Sequence, residues 1–374
     1  MTASSLDRER LLQALSLAED AFGQTEPNPR VGCILGRQDG TVLGSGATQK
    51  AGGPHAEAMA LRQALQQGHD LRGATAWVTL EPCAHQGRTP PCCDALIEAQ
   101  VGRVVVGARD PFPAVNGAGI QRLRAAGVAV DMADDDIAAT CRDVNIGFIS
   151  RMERGRPWVR LKIAASLDGK TALSNGQSQW ITGPEARKDG HAWRRRASAV
   201  LTGIGTVLAD NPRLDVRLVP TEAQPMRVIL DSHWRTPPGA RVLGLPGQTI
   251  IFGAAAKCER TLALQEQGAE LVWAPGSHAQ VDLSALMGWL NSRCVNELHV
   301  EAGAKLNGAL LNSGLVDEVL VYLAPLLVGE GRPMVQCGPF DTFAQALRLK
   351  PVEFQRVGDD LRIRMLTEQA AAQL

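Results

Sequence analysis

The sequence lacks several features that would by themselves assign a class of protein. Its 39 basic and 39 acidic side chains give zero formal net charge, whereas a non-specific nucleic-acid binder normally carries a basic excess. No run of 18 or more apolar residues occurs, which argues against a membrane-spanning helix. The first 20 residues have no continuous apolar segment, so we expect no secretory signal. We therefore expect a cytoplasmic protein without a nucleic acid or a membrane as its partner.

Cysteine is scarce, since eight residues in 374 are too few for a disulfide scaffold. Three of the eight, Cys83, Cys92 and Cys93, are close together in the sequence, and a histidine precedes them at His55. Such a cluster indicates a metal site. The sequence also has no internal repeat and no Gly-x-Gly-x-x-Gly after a strand, so a standard dinucleotide-binding fold is not indicated.

The chain is long enough for two domains. Charged residues with Gly155 and Pro157 interrupt the pattern at residues 151–157, after a helix that we expect to end near Phe148, and this segment is predicted as the domain junction. We therefore expect an α/β domain at residues 1–150 and a second α/β domain at residues 157–374.

Strands and helices are predicted to alternate in both domains, with Ser4 and Asp7 spaced as a capping box for the first helix. In the helix at residues 55–67 we expect Met59, Leu61 and Leu65 to face inward. The strands are predicted at residues 31–35, 41–46, 76–80, 104–106, 128–130, 159–164, 199–202, 227–231, 249–252, 297–301, 318–323 and 361–366. The other helices are predicted at residues 92–99, 119–126, 184–197 and 306–312.

One imidazole and two thiols can be brought together in the first domain. His55 lies near the start of a helix, Cys83 follows a buried strand, and Cys92 opens the next helix. Helix N-termini stabilise thiolates. Three protein ligands leave the fourth position of zinc for water, which is typical of a catalytic site.

Glu57 is not needed as a ligand and is predicted to act as the proton shuttle. Two thiolates cancel the charge of zinc, so the metal needs a neighbouring carboxylate to take the proton of water. In zinc deaminases, which have this set of residues, the carboxylate delivers the proton to the ring nitrogen and the leaving amine of a nitrogen heterocycle. The alternative is a structural zinc site with His85 or Cys93 as fourth ligand. Cys93 is disfavoured because neighbouring side chains on a helix face different directions.

The longer sequence around these residues resembles a known family. Residues 28–32, 54–57 and 79–96 are similar to the bifunctional deaminase/reductase family of riboflavin biosynthesis, and eight residues separate Cys83 from Cys92 where the wider zinc deaminase superfamily has two. The resemblance implies a cytidine-deaminase-like α/β/α layer domain. It implies a diaminopyrimidinone ribotide as substrate, with Asn28 holding the pyrimidine. His85, Arg88 and Lys50 fit phosphate or ring contacts and fit solvated loop residues equally well.

The resemblance continues through the second half, in residues 161–170, 178–182 and 205–212. It implies a dihydrofolate-reductase-like domain that binds NADPH. The cofactor residues it implies are Ala164, Trp180, Thr206, Asp210, Ser232 and the loop and helix start formed by Gly303, Ala304, Lys305, Leu306, Asn307, Gly308 and Ala309. The substrate residues it implies are Lys162, Ser178, Arg194, Leu214, Arg217 and Glu301.

Several of these residues have a physical role that agrees with the resemblance. Gly303 lets backbone N–H groups approach a phosphate at a helix start, although many strand–loop–helix corners carry a glycine. Arg194 and Arg217 are suitable fork donors to a substrate phosphate. Trp180 offers a flat face to a ring and fits an apolar core equally well. Thr206 and Asp210 also fit turn and cap positions.

The leading hypothesis is thus a two-step enzyme of riboflavin synthesis that uses zinc and NADPH on a small-molecule substrate. The alternatives are a deaminase of nucleic acid, such as transfer RNA, and a non-catalytic zinc scaffold that binds a partner. Zero net charge weighs against the first of these. Enzymes of this type are often oligomers, which makes a homo-oligomer a further expectation.

Overall fold

The computed structural model describes residues 4–86 and 90–373. The chain divides into two compact units, Met1–Gly155 and Arg156–Leu374. The helix before the junction extends further than its expected end near Phe148, because α6 continues to Arg154 and stops where Gly155 adopts φ 65°. A glycine in this left-handed conformation is a common way to end a helix.

The first unit is a five-stranded sheet covered by helices. Strand order is β2-β1-β3-β4-β5, with β1 antiparallel to β2 and β3, and with β3, β4 and β5 parallel. Helix contacts fall into two groups, α1 with α5 and α2 with α3 and α4, as in an α/β/α layer arrangement. The elements are α1 (Ser5–Asp20), β1 (Gly32–Gly36), β2 (Val42–Ala47), α2 (Ala56–Gln66), β3 (Thr75–Leu80), α3 (Cys92–Glu98), β4 (Arg103–Ala108), α4 (Ala118–Ala125), β5 (Ala129–Met132), α5 (Asp135–Val144) and α6 (Ile146–Arg154).

The buried face of α2 differs from the prediction. Leu61 is buried, but Leu65 is 62% exposed, and the alanines Ala60 and Ala64 face the sheet instead. The reason lies in β2, where a Cβ on Gly44 would stand only 2.4 Å from the Ala60 carbonyl oxygen. Strand and helix approach too closely for leucine, and this close packing fixes the helix whose N-terminus carries His55 and Glu57.

The second unit is built on a nine-stranded sheet of order β11-β10-β9-β8-β12-β6-β13-β16-β15. The strands from β11 to β13 run parallel, and β16 and β15 continue the sheet antiparallel. Its elements are β6 (Trp158–Ser166), β7 (Lys170–Leu173), α7 (Pro184–Arg196), β8 (Ala199–Gly203), α8 (Ile204–Asp210), β9 (Met226–Leu230), β10 (Thr249–Gly253), α9 (Glu259–Glu266), β11 (Ala269–Trp273), α10 (Leu283–Ser292), β12 (Glu297–Val300), α11 (Ala304–Asn312), β13 (Glu318–Ala324), β14 (Gly331–Pro333), β15 (Leu349–Val357), β16 (Asp360–Thr367) and α12 (Glu368–Ala371).

The two faces of β6 have opposite character because side chains alternate along a strand. Val159, Leu161 and Ile163 join the hydrophobic core on one face. Arg160 and Lys162 occupy the other face. Fully buried Arg160 pairs there with Glu297 of β12 at 2.7 Å and with Glu318 of β13 at 3.0 Å. Removing one partner of such a buried pair costs about 3–5 kcal/mol, so this network fixes the face on which Lys162 lies.

Within the described residues, no helix is both long enough and apolar enough to cross a membrane.

Candidate functional sites

The first unit brings His55, Cys83 and Cys92 together. His55 is the N-cap residue of α2, Cys83 follows β3, and Cys92 is the first residue of α3. The Nδ1 atom of His55 lies 3.6 Å from the Cys83 sulfur and 3.3 Å from the Cys92 sulfur. All three ligand atoms are within 4.8 Å of one another. The structure therefore assembles the donor set that the sequence predicted.

These distances fit zinc. With Zn–S near 2.3 Å and Zn–N near 2.0–2.1 Å, a tetrahedral ion separates a ligand nitrogen from a ligand sulfur by about 3.6 Å. In the described part of the chain, the group of possible ligands consists of three residues. Cys93 points elsewhere, since its thiol donates to the Pro82 carbonyl oxygen at 3.2 Å. These three donors suit zinc and would leave its fourth position for water, which is what the catalytic interpretation requires.

The two thiols influence each other strongly. Hydrogen bonding from the Cys92 thiol lowers the pKa of Cys83 to about 4, against the effect of burial. The same interaction with Cys83, together with burial, raises the pKa of Cys92. The Cys83 sulfur also raises the pKa of His55. The pair thus favours one thiolate and one thiol, and a divalent cation between them would stabilise the second thiolate.

Glu57 lies in the first turn of α2 and is 3% exposed. Burial raises its pKa, and the negative charge of Cys83 adds to the shift. Its side chain also hydrogen-bonds to Cys92. A buried carboxyl group with a raised pKa, beside the three predicted metal ligands, is suited to take up and release a proton.

The other described residues that were predicted to contact the substrate lie outside the helices and strands of this unit. Asn28 precedes β1, and its backbone carbonyl accepts from the Thr25 hydroxyl at 3.2 Å. His85 contacts the Phe112 ring at 5.4 Å between centroids. Lys50 is exposed between β2 and α2, and Arg88 lies outside the described residues. The roles proposed for these side chains stay predictions.

In the second unit, predicted cofactor residues gather at one edge of the sheet. Strands β9, β8 and β12 are neighbours and run parallel, so their carboxyl ends share an edge. Ser232 follows β9, Thr206 and Asp210 lie on α8 after β8, and Gly303 follows β12. Ligands of open parallel sheets bind outside this edge.

Helix α11 begins at this edge with an exposed N-terminus. Gly303 is its N-cap residue, it is exposed, and no side chain caps the helix. The first-turn N–H groups are therefore available to a diphosphate, which fits a nicotinamide dinucleotide. Asn307 and Gly308, by contrast, are buried. Gly308 packs so closely that a Cβ there would stand 1.7 Å from the Gln336 carbonyl oxygen.

Trp180 is exposed, and Ser178 contacts a predicted cofactor residue. Trp180 is 66% exposed, which excludes the core role, and the Arg187 guanidinium lies 4.5 Å from its ring centre. The Ser178 hydroxyl donates to Asp210 at 3.2 Å, so a predicted substrate residue contacts a predicted cofactor residue. Ala164 lies on β6, two residues after Lys162 on the same face.

Lys162, Arg194 and Glu301 form a charged group on the polar face of this sheet. Arg194 donates to both carboxylate oxygens of Glu301 and to the Asp215 carbonyl oxygen at 3.0 Å. Although burial opposes it, the Arg194 charge holds the pKa of Glu301 well below its usual value. Burial lowers the pKa of Lys162. The predicted use of Arg194 as a phosphate fork is therefore altered, because its fork is engaged by Glu301.

Arg217 is the freer of the two predicted phosphate donors. Its side chain is 43% exposed and pairs with Asp215 at 2.7 Å. Leu214 is buried beside this carboxylate, with φ 53°. The backbone N–H of Arg217 donates to Nδ1 of His191 at 3.2 Å, and burial lowers the pKa of that histidine to about 4. Sequence reasoning did not single out His191 or Asp215, because neither forms a recognisable motif.

Comparison with known proteins identifies the family. The RibD C-terminal domain profile matches residues 157–363, more than half of the chain. The profile of the cytidine and deoxycytidylate deaminase zinc-binding region matches residues 4–108. The riboflavin biosynthesis protein RibD of Escherichia coli K12 is 41% identical over 373 residues, covering 96% of this chain and 99% of its own. The chain belongs to the RibD family.

Solved structures of RibD proteins agree with this assignment along the whole chain. Acinetobacter baumannii RibD superposes with a TM-score of 0.86 at 41% identity, covering 97% of this chain and 99% of its own. The diaminohydroxyphosphoribosylaminopyrimidine deaminase/5-amino-6-(5-phosphoribosylamino)uracil reductase of Thermotoga maritima also gives 0.86, at 33% identity and the same coverage.

Membership of the RibD family settles several predictions. The predicted fold classes are confirmed, with a cytidine-deaminase-like unit and a reductase unit of dihydrofolate-reductase-like fold. The chain is a bifunctional deaminase and reductase of riboflavin biosynthesis, as predicted. Its deaminase domain is of the zinc-binding type and its reductase domain implies a nicotinamide cofactor. The individual residue roles, the cytoplasmic location and the homo-oligomer stay predictions.

Proposed function

We propose that this RibD chain catalyses two consecutive steps on a pyrimidine ribotide. The first unit hydrolyses the amine of 2,5-diamino-6-(5-phosphoribosylamino)pyrimidin-4-one. The second unit uses NADPH to reduce the ribosyl group of the product, 5-amino-6-(5-phosphoribosylamino)uracil, to ribityl. The observation that supports the proposal is the position of Glu57 beside His55, Cys83 and Cys92, three residues that could hold a metal ion. In the other unit, the uncapped start of α11 at the sheet edge is compatible with a dinucleotide.

Deamination replaces an amino group on a ring carbon by oxygen, with water as co-reactant and ammonia as the second product. Bound zinc would supply a Lewis acid that lowers the pKa of coordinated water. Glu57 takes one proton from the attacking water and delivers it to the ring nitrogen. It then takes the second proton from the hydroxyl group newly bound to the ring carbon and delivers it to the amine, which leaves as ammonia while the carbon–oxygen double bond forms. Asn28 holds the pyrimidine, and the buried position of Glu57 keeps bulk water from competing for its proton.

Reduction requires NADPH to lie along the sheet edge described above. The α11 N-terminus at Gly303 would hold the diphosphate, and Trp180 would offer its exposed ring to the cofactor. The other residues assigned to the cofactor are Ala164, Thr206, Asp210, Ser232, Ala304, Lys305, Leu306, Asn307, Gly308 and Ala309. Asn307 and Gly308 act through the backbone, because they are buried against the 334–336 segment.

The hydride is delivered to C1 of the sugar. Opening the ribosyl ring breaks the bond between C1 and the ring oxygen and leaves a carbon–nitrogen double bond at C1. The freed oxygen takes up the proton that the nitrogen releases and becomes a hydroxyl group. A bound nicotinamide would supply the hydride that C1 accepts, and the nitrogen would regain a proton from solvent. Lys162, held by the polar sheet face, supports the developing hydroxyl group, and Arg217 binds the phosphate.

The remaining substrate residues position these groups. Arg194 and Glu301 act as an ion pair beside Lys162, Ser178 bridges to the cofactor side through Asp210, and Leu214 packs beneath the phosphate end.

The experiment is an assay of the purified chain with the diaminopyrimidinone ribotide. We expect one ammonia per substrate with or without NADPH, and one NADPH consumed per ammonia when NADPH is present. Absence of ammonia release from the zinc-loaded chain would overturn the proposal.

A further inference from the structure

Glu81 is a buried carboxylate that the proposed mechanism does not use. It follows the last residue of β3 and precedes the ligand Cys83 by two positions. Its side chain is enclosed, with the residue 3% exposed. Its backbone N–H continues the parallel ladder to the Ala108 carbonyl oxygen at 2.9 Å. A charge in this position needs several hydrogen bonds to offset its loss of water.

Four backbone amides supply those hydrogen bonds. One carboxylate oxygen accepts from the N–H groups of Asp110 at 3.3 Å and Gly117 at 3.0 Å. The other accepts from Gly119 at 3.0 Å and Ile120 at 3.1 Å. Within the described residues, the carboxylate's hydrogen-bond partners are all backbone amides. Glu81 therefore connects the end of β3 both to residues 110–117, here called the β4 loop, and to the start of α4.

The β4 loop lies beside the metal ligands. Strands β3 and β4 are parallel neighbours, so the ligand segment after β3 and the β4 loop emerge at the same sheet edge. Phe112 of the loop contacts His85, two residues beyond Cys83. Burial raises the pKa of Asp110 to about 7, and the charges of Glu81, Cys83 and Glu57 add to that shift, as expected for a group close to the site.

The start of α4 is held equally closely to the ligand segment. A Cβ on Gly119 would stand 2.1 Å from the Pro82 carbonyl oxygen, so only glycine fits there. The Cys93 thiol, adjacent to the ligand Cys92, donates to the same Pro82 oxygen. The ligand segment and α4 are thus packed together independently of the Glu81 side chain, whereas the bonds to Asp110 and Gly117 tie both ends of the β4 loop to the Glu81 carboxylate.

We propose that Glu81 is a positioning residue of the deaminase site, which holds the β4 loop as a wall beside the metal ligands so that the substrate is bound in register with them. This inference rests on the proposed deaminase function. It assigns Glu81 to substrate binding through the loop, and not to the proton transfers that Glu57 performs.

Replacement of Glu81 by glutamine isolates the effect. Glutamine has nearly the same shape, but its NH₂ group must face two N–H donors whichever way the amide is turned. The NH₂ group will face Asp110 and Gly117, because one of those bonds is the longest of the four and the α4 start favours an oxygen. An unsatisfied buried donor is costly, so the β4 loop should be released while α4 stays in place.

The test compares Glu81→Gln with wild type and with Glu98→Gln, the same substitution at an exposed site of α3. We expect E81Q to keep one zinc per chain and to show faster amide exchange in residues 110–117. The KM for the diaminopyrimidinone ribotide should rise about tenfold or more, with a smaller change in kcat. Reduction of supplied 5-amino-6-(5-phosphoribosylamino)uracil should be unchanged, and E98Q should match wild type throughout.

A wild-type KM in E81Q, or loss of zinc and kcat together at unchanged KM, would overturn the positioning role. Glu81→Asp keeps the charge on a shorter side chain, so its KM should lie between those of E81Q and the wild type. It serves as the test variant if E81Q does not fold. Slow exchange of the Gly117 and Ile120 amides in the wild type is a further requirement, and fast exchange there would refute the inference. If the wild type released no ammonia at all, the proposed function would fail, and the exchange measurements would still decide whether Glu81 holds the loop.

Discussion

Arg194 and Glu301 are joined by two parallel hydrogen bonds, one of them 2.8 Å long between Nη2 and Oε2. Arg194 comes from α7 and Glu301 from the end of β12, so the pair links a helix to the sheet edge of the second unit. A third bond from Arg194 reaches the Asp215 carbonyl oxygen. The guanidinium thus orients Glu301 and the segment that carries Arg217.

Replacing Arg194 by lysine should impair reduction, because an ammonium group cannot make the two parallel bonds to Glu301 and the bond to Asp215 together. We expect kcat/KM for 5-amino-6-(5-phosphoribosylamino)uracil to fall by about tenfold or more, with ammonia release unchanged. Arg241→Lys is the control, since Arg241 is exposed in the same unit. Equal kinetics in the two variants would show that the ion pair has no role in reduction.

Lys162→Met should lower reductase turnover and leave deamination intact. Methionine keeps the apolar stem of the side chain, but it removes the amino group that we assign to the developing hydroxyl group. The expected loss in kcat is about 10²-fold or more, measured as NADPH consumption with saturating deaminated substrate. Reductase turnover equal to that of the wild type would remove Lys162 from the mechanism.

Two neighbouring cysteines provide a matched test of the metal site. Cys92→Ala should lose zinc and ammonia release, because it removes one of three ligands. Cys93→Ala should keep one zinc per chain, because the Cys93 thiol bonds to the Pro82 carbonyl oxygen instead. Metal analysis after gel filtration measures both. Zinc retained in Cys92→Ala and lost in Cys93→Ala would mean that the ligand assignment is wrong.

His191 predicts how the stability of the second unit depends on pH. Burial lowers its folded pKa from the usual 6.5 to about 4, and its Nδ1 accepts the Arg217 N–H only when neutral. The unfolded chain binds this proton below about pH 6.5, so stability is full above that pH and declines as pH falls towards 4. The decline from this residue is on the order of 2–3 kcal/mol.

The measurement is the free energy of unfolding between pH 4 and pH 7, followed by tryptophan fluorescence, since six of the seven tryptophans lie in the second unit. Glutamine at position 191 can still accept the Arg217 N–H but does not titrate, so His191→Gln should flatten the curve. His278→Gln, at an exposed site, should retain the wild-type slope. If the free energy of unfolding of His191→Gln fell with pH as steeply as that of the wild type, the pH dependence would not come from His191.

Short-range patterns predicted much of the fold from the sequence. The capping box of Ser4 and Asp7 forms as expected, and the strands expected at residues 31–35 and 41–46 appear as β1 and β2. The inward face of α2 was wrong at Leu65, because the close approach of Gly44 to the helix is a tertiary effect that periodicity cannot register.

The proximity of His55, Cys83 and Cys92 could be predicted because few residue types bind zinc and these three have a distinctive spacing in the sequence. Glu81, Asp110 and His191 could not, since each acts through backbone groups or neighbours that are distant in the sequence. The pairing of Arg194 with Glu301 could not be predicted for the same reason, as the position of Glu301 beside it depends on how α7 packs on the sheet. Elements such as β7, α8 and β15 were missed because their patterns are short or polar.

The most direct test of the central claim, that two separate sites act in sequence, is a kinetic comparison of Glu57→Gln with wild type. Both proteins would receive the diaminopyrimidinone ribotide and, separately, 5-amino-6-(5-phosphoribosylamino)uracil, while ammonia and NADPH are followed. We expect E57Q to release no ammonia from the first substrate and to reduce the second at the wild-type rate. Ammonia release at the wild-type rate, or loss of both activities in a folded, zinc-loaded variant, would contradict it.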